Sequence, residues 1–91
     1  MVLLKYFSAL SYTRLNDLHC TDFGQLINYG TFTTLHNAKV ACDEDDNCKY
    51  VYDVKCDNVN TFYLCSKSNS LKPAPVTGSC VYEKQGDHYH L

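Results

Sequence analysis

Tryptophan is absent, methionine occurs once, proline twice and glycine four times in 91 residues. So little Pro and Gly excludes a collagen-like or low-complexity chain. No run approaches the ~18 uncharged apolar residues of a membrane-spanning helix, so no membrane insertion is expected. An excess of positive charge is also missing: 8 Lys+Arg stand against 10 Asp+Glu. Nucleic acid and anionic membrane surfaces are therefore disfavoured as partners. Gly24, Gly30, Gly78 and Gly86 are scattered, which leaves no phosphate-cradling loop. No N-x-S/T acceptor occurs either, because Asn60-Thr61 is followed by Phe62 and Asn69-Ser70 by Leu71.

What the chain does have is six cysteines, eight tyrosines and a hydrophobic share of 45%. The apolar share suits a single globular domain. Cysteine makes up about 7% of the chain, just below the ~8–10% of a disulfide-dominated scaffold. An even number in so small a chain reads as covalent bracing in an oxidising compartment, either extracellular or the lumen of the secretory pathway. Zinc is the rival use of the sulfur. The nearest pair, Cys42 and Cys48, has five residues between, wider than a C-x₂₋₄-C knuckle. Calcium is the rival use of the acidic run, since Asp43, Asp45 and Asn47 alternate. Cys48 then stands where a calcium loop needs glycine, and Val54 where it needs glutamate. The run reads as a solvated turn, and neither a metal nor a cofactor is expected.

Residues 1–10 resemble a leader peptide only superficially, because Lys5 interrupts the apolar run. They are expected to form a first strand or an extension within residues 1–11, with any leader lying upstream. Thr33 and Thr34 offer cap oxygens to a helix over residues 35–42, on which Leu35, Ala38 and Cys42 share one stripe. The acidic turn 43–47 ends it. Residues 49–54 and 61–65, rich in aromatic and β-branched side chains, predict an antiparallel hairpin across the turn 57–60. Residues 66–78, with Pro73 and Pro75, read as an irregular loop. Residues 79–83 read as a closing strand and 85–91 as a polar tail. The class is α+β, with one helix on a small antiparallel sheet.

The helix ending in Cys42, the acidic turn, Asn47-Cys48 and the aromatic strand Lys49-Tyr50-Val51-Tyr52 resemble the PAN/apple domain family. Phe62-Tyr63-Leu64-Cys65 and Gly78-Ser79-Cys80-Val81-Tyr82 resemble its next strands, so the likeness spans residues 12–84. The resemblance implies about five antiparallel strands cradling the helix. It also implies the pairs Cys20–Cys80, Cys42–Cys65 and Cys48–Cys56. For Cys42–Cys65 the helix stripe adds an argument of its own, since Cys42 needs a partner on the sheet face beneath it. Similar modules make protein–protein or protein–carbohydrate contacts within adhesive, protease or receptor chains.

Catalysis is not expected. The cysteines are used as pairs, and His19, His36, His88 and His90 have no evident nucleophile to serve. Binding is therefore assigned to a surface. With Cys65 facing the helix, Tyr63 faces it too, and Phe62 and Leu64 face the opposite side, where they are either covered or form a recognition patch. Tyr50, Tyr52, Asp53, Lys55, Phe62 and Leu64 are the candidate ligand-binding residues, and a glycan or an extracellular protein is the expected partner. Self-association in a matrix or adhesive is the alternative, and a small secreted effector or protease inhibitor a third reading.

Overall fold

A computed structural model describes residues 11–21, 31–74 and 78–85. The expectations for residues 1–10 and for the tail beyond Gln85 lie outside the described residues. Eight elements follow in chain order: β1 (Tyr12–Asn16), β2 (Leu18–Cys20), β3 (Thr31–Thr34), α1 (Leu35–Asp43), β4 (Cys48–Asp53), β5 (Val59–Ser66), β6 (Leu71–Pro73) and β7 (Cys80–Lys84). Five strands form one antiparallel sheet in the order β1-β7-β4-β5-β3. A second sheet pairs β2 with β6. The segment 66–78 is thus not wholly irregular. Leu71 pairs with Cys20 and Pro73 with Leu18, and Pro73 is tolerated because a two-stranded ribbon consists only of edges.

The helix begins where its cap predicts. Thr34 is extended (φ −128°, ψ 149°), and its Oγ1 accepts the Asn37 N–H at 3.1 Å. No basic residue stands in the last turn. A strand supplies the missing cation: Lys84 Nζ donates to the Cys42 carbonyl at 2.6 Å and to the Asp45 carbonyl at 3.3 Å. Burial lowers the Lys84 pKa, while Asp43, Asp46 and Asp45 partly restore it.

Side chains alternate across the sheet, and this alternation places the core. Val51, Leu64 and Phe62 turn toward Ala38 and Cys42 of α1 and are fully buried, joined by Cys80 and Tyr82. The residues between them, Tyr50, Tyr52, Tyr63, Cys65 and Val81, share the opposite face by register. Phe62 and Leu64 are therefore interior residues on the helix side, not on the opposite side as expected. Two large apolar side chains bury more area than a tyrosine and a cysteine at the same strand positions, so they take the helix face.

The cystine pairing follows from the faces, and it corrects all three expected bonds. Cys65 lies across the sheet from Cys42, out of its reach, and bonds Cys20 of the ribbon instead. A bulge between Cys48 and Tyr50 turns Cys48 to the helix side, where it meets Cys42 across a separation of six residues. Cys80 lies opposite Asp53 on that same side and bonds Cys56 in the turn after β4. Cys20–Cys80, Cys42–Cys65 and Cys48–Cys56 would each have needed a different face or turn.

Candidate functional site

The sheet face away from the helix carries a row of aromatic rings. Tyr52 and Tyr63 are directly opposed on β4 and β5, and their rings lie 6.2 Å apart and 28° from parallel. His19 of the ribbon lies 6.4 Å from Tyr52, tilted by 51°. All three are half-buried. The Cys20–Cys65 bond holds the ribbon at this end of the row, immediately beside His19. Tyr50 continues the face toward Glu83, and its pKa is raised by burial and then by the Glu83 carboxylate. Lys49 Nζ donates to the Lys84 carbonyl at 3.0 Å and pairs with Glu83 at 3.8 Å, closing this edge with charge. Such rings offer broad apolar area with polar rims at small entropic cost.

The six expected binding residues divide between three places. Tyr50 and Tyr52 lie on this aromatic face. Phe62, Leu64 and Asp53 are fully buried on the helix side and offer no surface to a ligand. Lys55 is exposed and lines a concavity of about 350 Å³ with Arg14, Asn16, Asp17, Cys56, Gly78 and Ser79. Tyr63 and His19 were missed. The signal was available in the volumes of Phe62 and Leu64, which fix the face of every other residue on β5.

The concavity is built by two turns. Asp17, in the left-handed region at φ 61°, links β1 to β2, and its Oδ1 accepts the Gly78 N–H at 3.1 Å. Cys56 (φ 52°) and Asn58 (φ 66°) shape the turn after β4. That turn is held by Ser79 Oγ donating to the Val54 carbonyl (3.0 Å) and Tyr82 Oη donating to Asn58 Oδ1 (2.9 Å). Beneath it, Asp53 Oδ2 accepts the Asn58 N–H at 3.0 Å, while its Oδ1 is buried without a hydrogen-bond partner. Among the described residues, Asp53, Cys56 and Cys80 form a group of potential ligand atoms within 4.8 Å of one another. The two sulfurs are bonded to each other, so this is a carboxylate beside a cystine.

The acidic turn after α1 makes contacts of its own, although Asp45 Oδ2 is buried without a hydrogen-bond partner. Asp45 Oδ1 accepts the Asn47 N–H at 2.8 Å, and Lys84 lies against the turn's carbonyls. No protein-family model, curated protein or solved structure matches the chain. Fold and site together define a small domain with three disulfides and, among the described residues, one helix and an antiparallel five-stranded sheet.

Proposed function

We propose that the chain is a non-catalytic extracellular recognition module that binds a glycan or a protein loop through the tyrosine face of its sheet. The observation that carries this reading is the Tyr52–Tyr63 stack with His19 beside it on a half-buried surface. Aromatic rings with polar edges are the usual anchors of such contacts, covering the apolar side of a sugar or a loop. Three disulfides are compatible with an oxidising compartment outside the cytosol. One helix on a five-stranded sheet also accords with the PAN/apple resemblance, although the cystine pairs differ from those it implies. Membership of that family is thus proposed on the helix–turn–strand segment and the sheet, not on the cystines.

The oxidised protein, screened on a glycan array and against a panel of extracellular domains, is expected to bind a ligand. Tyr52→Ala and Tyr63→Ala are each expected to weaken that binding at least about tenfold, the weight of an interface anchor. Near-UV circular dichroism should show the fold retained. Silence in both screens counts against the reading, and so does binding indifferent to both substitutions. Concentration-dependent self-association by light scattering, with no other ligand, would favour a matrix or adhesive protein instead.

A further inference from the structure

The three cystines are not equivalent in their surroundings. Cys20, Cys42, Cys48, Cys65 and Cys80 are each at most 2% exposed, whereas Cys56 is half-buried and lines the concavity. Only one of the three bonds thus has a cysteine that is not sealed in the interior. At the mouth of the concavity two cations, Arg14 and Lys55, stand with one carboxylate, Asp17, which draws an anion to the mouth, while the buried Asp53 carboxylate behind the bond opposes it. The thiolate is the attacking form in disulfide exchange. Behind the bond lies Asp53, fully buried, with Oδ1 unpartnered and its carboxylate close to both sulfurs.

We propose that Cys56–Cys80 is the exchange-competent disulfide of this domain, opened by a dithiol reductant that attacks Cys56 and leaves Cys80 to hydrogen-bond to the Asp53 carboxylate. The reductant's thiolate forms a bond to Cys56 Sγ. The Cys56–Cys80 bond breaks, its electron pair goes to Cys80 Sγ, and that sulfur takes up a proton. The reductant's second thiol then attacks the mixed disulfide and releases Cys56 as a thiol. Two electrons and two protons enter the protein, and the dithiol leaves as a disulfide.

Asp53 gives the open state its advantage. A cystine has no S–H to offer, so Oδ1 stays unsatisfied while the bond is closed. The Cys80 thiol, whose sulfur lies within 4.8 Å of an Asp53 carboxylate oxygen, brings the carboxylate a donor once the bond opens. Buried acceptors without a partner are costly. Asp45 Oδ2 near Cys42–Cys48 and His19 Nδ1 near Cys20–Cys65 are also unpartnered, but among the described residues only Cys56–Cys80 has a carboxylate oxygen within 4.8 Å of both its sulfurs. The turn also keeps non-covalent anchors when the bond is open, through Ser79 to Val54, Tyr82 to Asn58 and Asn58 to Asp53. Reduction is therefore expected to be local. This inference is independent of what the tyrosine face binds.

Graded dithiothreitol treatment of the native protein, followed by alkylation and peptide mapping, tests it. Cys56 and Cys80 are expected to label at least about tenfold faster than the other four cysteines, with near-UV circular dichroism preserved. Asp53→Asn keeps the volume and the bond to Asn58, and should shift the thiol–disulfide equilibrium about tenfold toward the closed bond. Lys55→Glu, at an exposed position, should slow the first attack several-fold by repelling the thiolate. Simultaneous opening of all three bonds overturns the proposal, as does earlier opening of Cys20–Cys65 or Cys42–Cys48. An Asp53→Asn protein with an unchanged equilibrium also overturns it. Should Asp53→Asn fail to fold, the labelling order and the Lys55→Glu rate decide the matter alone.

Discussion

The two faces of the central sheet are made from the same strands yet behave as different materials. Toward the helix, Val51, Phe62 and Leu64 are sealed against Ala38 and Cys42. Away from it, Tyr50, Tyr52 and Tyr63 stand half-buried, and a two-stranded ribbon is pinned at one end by Cys20–Cys65. A period of two is enough to separate a load of apolar volume from a display of polar-rimmed rings. The difference teaches that stability and recognition can be assigned to alternate residues of one strand.

Substitutions on β5 and β4 test that division. Phe62→Ala is expected to cost about 3–5 kcal/mol in chemical denaturation, the range for emptying a sealed aromatic site. Tyr52→Ala, on the opposite face, should cost no more than about 1 kcal/mol. Equal costs at the two positions would erase the distinction.

The staples offer the next contrast. Cys20–Cys65 joins residues 45 apart, whereas Cys42–Cys48 spans only 6. On the chain-entropy account, replacing both cysteines of the longer loop by serine should cost about 4 kcal/mol, against about 2 kcal/mol for the shorter. The bond that pins the ribbon thus contributes more than the bond that closes the helix turn.

Tyrosine ionisation gives the smallest effect. On the helix face, Tyr12 Oη donates to Asp43 Oδ1 at 2.5 Å and lies 3.2 Å from the Lys39 carbonyl oxygen. Its pKa is raised far above 10.0 by burial first, then by that hydrogen bond and the Asp43 charge. The folded state therefore holds the Tyr12 proton when the unfolded chain loses it. This contribution is complete below about pH 10 and is lost as pH rises beyond, since the unfolded tyrosine titrates there. Lys84, lowered by burial, acts in the opposite sense just below its own unfolded value of 10.5. Thermal unfolding between pH 8 and pH 11, as an approximate window, should fall less steeply in Tyr12→Phe than in the wild type. Tyr50→Phe, on the other face, should change the slope less.

Much of the architecture was legible in local chemistry. Thr34 as a cap, the stripe of Leu35, Ala38 and Cys42, and the runs that became β4, β5 and β7 all follow from spacing and residue type. The ribbon was not, because Leu71–Pro73 is too short to show a period and carries a proline. Lys84 as the partner of the helix C-terminus was equally hidden, since nothing local links a strand residue to carbonyls some forty positions earlier. The costliest misreading was the face of Cys65. Pairing it with Cys42 sent Phe62 and Leu64 outward and concealed Tyr63, so one assumed bond inverted a whole strand. The bulge after Cys48, which reverses that cysteine's face, leaves no signature in the alternation of β4.

Cystine mapping is the measurement on which the two-faced sheet stands. The native protein would be digested at acidic pH without reduction and its linked peptides identified by mass spectrometry. Bonds joining Cys20 to Cys65, Cys42 to Cys48 and Cys56 to Cys80 are expected. A peptide linking Cys42 to Cys65 would contradict this, for it would turn Cys65 and Tyr63 toward the helix and put Phe62 and Leu64 on the outside.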